Sequence, residues 1–303
     1  MRIEFQNFRC LRDTSLELTP LTVIVGPNAS GKSSILEALR PDYEVSEADA
    51  WQRRPKTTVA IRRISDDGRR SVSELTGPSH TGEASFAYAF QSVRLDVGAL
   101  RRSNQVVQSH KLATTGENLT NVFDTLDRGT QSELVKQFCD LVPVFSDVNA
   151  KPTVGGHKHL VFKDRWSSTA EYTPEQVSDG SMLAFAFLTL RFQKHAPDVL
   201  AIEELERGLH PYLIRELVTF LRRMSVGSFG GKQVRVVIAT HSPEVLSCLQ
   251  PHELRMLRRD GEGAVEIVAL KDEQQFRQAL EEYEGSLGGL WLSGSLGGVP
   301  GPI

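Results

Sequence analysis

The run Gly26-Pro27-Asn28-Ala29-Ser30-Gly31-Lys32-Ser33 fits the phosphate-loop pattern G-x-x-x-x-G-K-[ST], and it constrains the fold more than any other stretch of the chain. The preceding Leu21-Thr22-Val23-Ile24-Val25 is apolar and β-branched, the mark of a buried strand. The following Ser34-Ile35-Leu36-Glu37-Ala38-Leu39-Arg40 has helical spacing. A strand, a glycine-containing loop and a helix start together make an anion cradle. Backbone N–H groups and the helix dipole face the phosphates, Lys32 reaches the β and γ oxygens, and the Ser33 hydroxyl ligates Mg²⁺. Gly26 through Ser34 are therefore the expected contact segment for a nucleoside triphosphate.

Around this loop the pattern alternates between short apolar strands and helices, which implies an α/β fold with a mostly parallel, sandwiched sheet. Ile3, Phe5, Phe8 and then Leu16, Leu18 suggest half-buried antiparallel strands leading into the central one. Residues 41–111 are less regular and carry the pairs Arg53-Arg54, Arg62-Arg63, Arg69-Arg70 and Arg101-Arg102. Such pairs are either solvated loop charges or a contact surface for nucleic-acid phosphates. Residues 117–142 read as helical, with Leu119, Val122, Phe123 and Leu126 on a core face. A polar stretch from Asn149 to Tyr172 follows, with a strand at His159-Leu160-Val161-Phe162. An apolar helix then spans Met182–Phe192, a further helix 211–224, and a strand Val234 to Ala239. The tail from Gly285 is glycine-rich around Leu290-Trp291-Leu292 and lacks the strand-to-helix context of a nucleotide loop.

Bulk properties narrow the function classes. The 303 residues suffice for one large α/β domain or two smaller ones, and the formal net charge of −3 argues against a chain-wide nucleic-acid footprint. Cys10, Cys139 and Cys248 are far apart and in no metal-like spacing, so a reduced, cytoplasmic setting is expected. The most apolar stretch, Met182 to Leu190, is too short to span a bilayer, and no membrane partner is expected.

Two strand ends carry candidate chemistry. Val199-Leu200-Ala201-Ile202 ends in Glu203-Glu204. Beside a phosphate loop, an acid in this place holds Mg²⁺ and a second carboxylate polarises the attacking water, so Glu203 is assigned to the metal and Glu204 to the water. His241 follows the strand ending at Ala239, on the edge where open α/β sheets bind ligands, and there it could bond the γ-phosphate. Ser178-Asp179-Gly180-Ser181 opens a helix; by sequence physics alone it is a plain N-cap.

In order, the phosphate loop, V-S-D-G-S, A-I-E-E-L-E-R-G-L-H-P and I-A-T-H-S-P resemble the ABC-type ATPases of the SMC/RecF/OLD group over about residues 1–250. The opening Ile3 to Arg9 and Gly26-Pro27-Asn28 are similar to that group's N-terminus. The resemblance implies ATP and Mg²⁺ as cofactors and an ABC-type phosphate-loop ATPase domain over 1–284, with an inserted helical lobe at 41–165 and a tail at 285–303. It also implies an ATP-dependent head-to-tail homodimer in which Ser178 and Gly180 serve the nucleotide of the second subunit, with Leu209-His210-Pro211 meeting the partner. Gln91 stands for the glutamine that touches Mg²⁺ and water in the group. The group often has a proline after the paired acids and an asparagine further on, where this chain has Leu205 and Arg207. No nuclease-like D-x-D spacing follows, so a fused nuclease is not expected. The resemblance points to a DNA-associated process in anti-phage defence or repair, driven with a separately encoded effector such as a nuclease. The alternatives are a RecF-like DNA-binding repair ATPase, with the 51–102 stretch as its DNA surface, and the energy subunit of a transporter.

Overall fold

The computed structural model describes residues 1–54, 57–76, 79–84, 87–229 and 231–269, with the backbone alone for 79–84. The tail at 285–303, with Leu290-Trp291-Leu292, lies outside them. In chain order the elements begin with β1 (Arg2–Phe8), β2 (Leu11–Glu17), β3 (Leu21–Val25), α1 (Lys32–Ala38), β4 (Val59–Ile64), β5 (Arg70–Thr76), β6 (Ser79–Ala84) and β7 (Phe90–Val93). They continue with α2 (Val97–Leu100), β8 (Asn104–Gln105), α3 (Leu119–Thr125), α4 (Arg128–Leu141), β9 (Phe145–Thr153), β10 (His157–Asp164), β11 (Glu171–Tyr172) and α5 (Asp179–Phe192). The last are β12 (Val199–Glu203), α6 (Pro211–Ser225), β13 (Arg235–Thr240), α7 (Pro243–Leu246), β14 (Leu254–Arg259) and β15 (Val265–Ala269).

The chain divides into two compact units, each discontinuous in sequence: Met1–Phe90 with Asp198–Glu204 and the chain from Gln233, and Gln91–Pro197 with Leu205–Lys232. In the first unit the central sheet runs β15-β14-β3-β13-β12. β12, β13, β3 and β14 are parallel, and β15 pairs antiparallel with β14. The expected mostly parallel sheet is present. All five residues of β3 and the first four of β12 are buried, as strands covered on both faces must be.

An antiparallel sheet of order β2-β1-β4-β5-β6 joins it in the same unit. Its core face carries Ile3, Phe5 and Phe8, packed with Leu11, Leu16, Ile35 and Leu39. Strict alternation from Ile3 and Phe5 would turn residue 7 inward. Asn7 instead takes a left-handed conformation (φ 51°), which resets the phase and buries Phe8.

Sequence reading assigns no regular elements to 57–84 and places them in a helical insert; the structure makes them β4, β5 and β6, joined to β1 through β4. The alternation is masked because Arg63 occupies an inward position beside Ile61, fully buried. Its Nε donates to the Ala38 carbonyl at 2.9 Å and its Nη1 to Ser73 Oγ at 3.0 Å. Tyr88 OH donates to the Leu39 carbonyl. Two donors thus satisfy carbonyls at the C-terminal end of α1, where a cation also suits the helix dipole. Burial pushes the Arg63 pKa below the usual arginine value.

In the second unit β10 pairs antiparallel with β9, β11 and β8. The segment 149–172, read mainly as polar connection, is therefore largely a meander, and the strand at 159–162 extends to His157–Asp164. Phe138, Phe145, Phe162 and Phe185 interlock with ring centroids 5.1 to 5.9 Å apart, which fixes α4 and α5 against this sheet. α5 is buried over 181–190, in keeping with its unbroken apolar run. The single helix expected over 117–142 is two: Leu126 is extended, and Asp127 Oδ1 accepts from Thr130 N at 3.0 Å to cap α4.

Arg63→Ala should remove a buried side chain and leave the Ala38 carbonyl unpaired, at a cost of about 3 kcal/mol or more. Arg62→Ala, which loses a half-exposed ion pair with Glu74, should cost under about 1 kcal/mol. Urea unfolding midpoints of the two variants test this; similar shifts would mean that Arg63 does not anchor α1.

Candidate functional site

Parallel pairing sets the site. Thr240 of β13 pairs with Val25 of β3, and Glu203 of β12 pairs with Ala239. The C-terminal ends of three strands are thereby flush, and the segments leaving them form a common edge. Those segments are the phosphate loop after Val25, Glu204 after Glu203, and His241 after Thr240.

They enclose a hollow of about 380 Å³, within the range of ligand sites. Residues 28–34 of the loop line it with Glu203, Glu204, Ala239 and His241. Arg9, Cys10 and Arg259 complete the wall. The loop itself is folded tightly: Ser30 N donates to the Pro27 carbonyl at 3.2 Å, and Ala29 and Gly31 have φ of 61° and 97°. Lys32 Nζ donates to the Gly26 and Pro27 carbonyls at 2.7 and 2.9 Å, so the ammonium folds back over the loop. Gly26 and Pro27 therefore act through their backbone, outside the lining. Gly31 is required twice over. Its φ suits glycine, and a Cβ there would lie 2.6 Å from Cys10 Sγ.

Glu204 stands in a left-handed conformation (φ 54°), with its N–H donating to the Ala239 carbonyl at 3.1 Å. For a residue other than glycine this costs about 1–2 kcal/mol and marks a position held by its surroundings. Arg9 also has a positive φ (53°). Burial works against its charge, but hydrogen bonds to Asp49 and Glu37 outweigh that and hold its pKa above the usual arginine value. The ion pairs are 2.8 and 2.7 Å long. Burial likewise pushes the Cys10 thiol up, away from the reactive thiolate.

The remaining sequence candidates lie in the second unit. Ser178 caps α5, its Oγ accepting from Ser181 N at 3.2 Å. A Cβ on Gly180 would stand 3.3 Å from Leu213 and 3.5 Å from the Gly208 carbonyl, so a small residue suits the close approach there. Arg101 fastens this helix start, donating from Nη2 to the Val177 carbonyl and Asp179 Oδ1, both at 2.7 Å. His210 caps α6, with Pro211 at its first position. Gln91 is buried: its Nε2 donates to the Leu112 carbonyl at 2.8 Å, and its Oε1 accepts from Gln193 Nε2. Neither Ser178, Gly180 nor Gln91 is among the residues lining the hollow.

Sequence reading missed Arg259 altogether, and only pairing of β14 beside β3 places it at the loop. Four arginines of the 51–102 pairs have structural partners or interior positions. Arg63 is interior, Arg101 holds α5, and Arg62 and Arg69 are ion-paired to Glu74 and Asp67. Among the described residues no helix is long and apolar enough to cross a membrane.

Known proteins match parts of this chain and its fold. A family described as an AAA ATPase domain matches residues 1–41. A second AAA domain family, whose description names the AbiEii toxin and the Type IV TA system, matches residues 124–247. Fifty residues are 58% identical to the OLD nuclease of Thermus scotoductus, 16% of this chain but only 9% of that relative. The SMC head domain from Thermotoga maritima superposes with a TM-score of 0.57 at 14% identity, covering 89% of this chain and 98% of that one. An Smc head domain with an extended coiled coil, bound to the C-terminal domain of ScpA derived from Pyrococcus furiosus, superposes at 0.53 and 13% identity, covering 93% and 98%. Together these matches support an SMC/RecF/OLD-like ABC-type ATPase, and the fold is that of the SMC heads. The phosphate loop leaves β3, Glu203 closes β12 with Glu204 after it, and His241 follows the end of β13.

Gly31→Ala should strain this ATPase's loop by about 1–2 kcal/mol and weaken ATP binding at least about tenfold. Calorimetric titration measures the second effect. Adding Cys10→Ala removes the close contact but not the φ strain, so the double variant should recover only part of the binding. Full recovery would show that the contact alone matters.

Proposed function

We propose that this protein hydrolyses ATP with Mg²⁺ in the hollow of the first unit and that ATP joins two copies head to tail. The observation that carries the reading is the convergence of residues 28–34, Glu203, Glu204 and His241 on one hollow. The loop amides and Lys32 bind and orient the β and γ phosphates. Ser33 and Glu203 present oxygen donors of the kind Mg²⁺ takes alongside substrate phosphates. A cation held here would also take oxygens of the nucleotide phosphates. When bound, it would polarise the γ-phosphoryl group.

Glu204 orients the attacking water and accepts its proton, and His241 hydrogen-bonds the γ-phosphate. Ser178 and Gly180, absent from the hollow's lining, serve the nucleotide of the second copy. Ser178 caps the start of α5 by accepting from Ser181 N, and Arg101 keeps that start in place. The output is a DNA-associated process in anti-phage defence or repair, working with a separately encoded effector. Support for it lies in the match to an OLD nuclease and in the family whose description names a Type IV TA system.

Glu204→Gln should keep ATP binding, cut turnover on the order of a hundredfold or more, and accumulate an ATP-bound dimer on size exclusion. Normal turnover in that variant would sink the assignment of Glu204. Lys32→Ala should lose binding itself.

The DNA-associated output is tested by steady-state turnover with and without linear duplex DNA, using Lys32→Ala as background. Stimulation is expected; an unchanged rate would move the trigger to a protein partner.

A further inference from the structure

We propose that Arg259 is a further nucleotide-binding residue of this ATPase, meeting the polyphosphate chain of the nucleotide from the side of β14. The inference rests on the reading of the hollow as a nucleotide site and adds to it a residue that no motif marks.

Topology places the residue. β14 runs parallel to β3, with Leu254 opposite Val23 and Met256 opposite Val25, the last residue of β3. β14 then continues through Leu257 and Arg258 to Arg259, alongside the phosphate loop that has left the end of β3. Alternate residues of a strand share a face, so Leu257 and Arg259 point the same way. Leu257 Cβ stands 3.1 Å from where a Cβ on Gly26 would be, which puts that shared face against the loop. Two residues further on, Arg259 Nη2 donates to the Ala29 carbonyl at 2.6 Å, in the middle of the loop. The guanidinium lies in the wall of the hollow with residues 28–34.

Its charge favours the same role. Nη1 donates to the Gly263 carbonyl at 2.6 Å, so both bonds of the head group go to neutral carbonyls. Among the described residues no carboxylate pairs with Arg259. The acids nearest in sequence, Asp260 and Glu262, pair instead with Arg12. Arg9, across the same hollow, is by contrast balanced by Glu37 and Asp49. A guanidinium has five N–H donors, and those not bound to the carbonyls remain for a ligand. Two anchoring bonds also fix the planar fork in advance, which lowers the entropy lost when it takes an oxyanion. The group that such a fork recognises beside a phosphate loop is a phosphate oxygen.

The test compares Arg259→Met and Arg259→Lys with wild type and with Arg258→Ala, an exposed neighbour on the opposite face of the strand. Equilibrium binding of ATP, ADP and GTP is measured at two salt concentrations, together with the melting temperature of the nucleotide-free protein. Arg259→Met should weaken ATP and ADP roughly tenfold or more. GTP, to whatever extent wild type takes it, should weaken by a similar factor. The salt dependence of binding should shrink, and Arg259→Lys should recover part of the loss. The ligand-free melting temperature should stay within about 2 °C of wild type. Three results overturn the proposal: unchanged affinities, a loss confined to the adenine nucleotides, or a fall in affinity matched by a fall in ligand-free melting temperature. If wild type binds no nucleotide, the reading of the hollow itself fails and this inference with it. If wild type binds and Lys32→Ala does not, unchanged Arg259→Met affinities sink the arginine assignment alone.

Discussion

The nucleotide hollow depends first on the parallel ladder that holds β12, β13 and β3 in register. Glu203 opposite Ala239 and Thr240 opposite Val25 bring three strand ends to one edge. A slip of one residue in β12 would turn Glu203 to the other face of the sheet and carry Glu204 with it. The ladder is pinned because its strands are apolar on both faces: β3, β13 and β12 bury nearly every side chain. Hydrophobic burial of residues with no chemistry thus determines where the acids stand.

Just past the ends of the ladder the backbone is strained. Ala29 and Glu204 adopt positive φ although neither is glycine, and both lie beyond the C-terminal end of a central strand. Each is held by bonds to its neighbours in the sheet: Arg259 reaches the Ala29 carbonyl, and the Glu204 N–H reaches the Ala239 carbonyl. A free chain would relax both positions to ordinary backbone geometry. Strain kept at a carboxylate and at a phosphate loop, while the surrounding strands are regular, is the pattern of a site ordered for a ligand.

How much of the fold and site could be read in the sequence depends on how each element carries its signal. β3, β12 and β13 are short unbroken apolar runs that end in polar residues, and the loop, Glu203-Glu204 and His241 are contiguous with them. A linear reading therefore finds both strand and site. β4 to β6 escape it, because a buried arginine occupies the place where alternation expects an apolar residue, and the partner that explains Arg63 is the end of α1. The break at Leu126–Asp127 is a capping event inside a continuous apolar pattern, which periodicity averages over. Arg259 is a case of a different kind. Nothing around it in sequence is diagnostic, and its meaning comes only from lying beside a loop near the opposite end of the chain. Gln91, read as a metal-contacting glutamine by resemblance, shows why a residue type needs its surroundings: both ends of its amide are engaged in the interior, with Gln193 and Leu112.

The wall of the hollow is assembled from the turn after β1, the loop after β3, the ends of β12 and β13, and the overrun of β14. Segments so distant in sequence meet only when the central sheet has closed, and closing long loops is the slow, entropically costly part of folding. The hollow is therefore complete only once the first unit has folded. A ligand that binds only the completed unit stabilises all of it by mass action, including β4 to β6 and the β14–β15 hairpin, which carry no motif. The same linkage works in reverse. Substitutions far from the hollow that loosen the sheet must weaken nucleotide binding by lowering the fraction of the chain competent to bind. Residues such as Arg63, which touch no ligand, then bear on function through the end of α1.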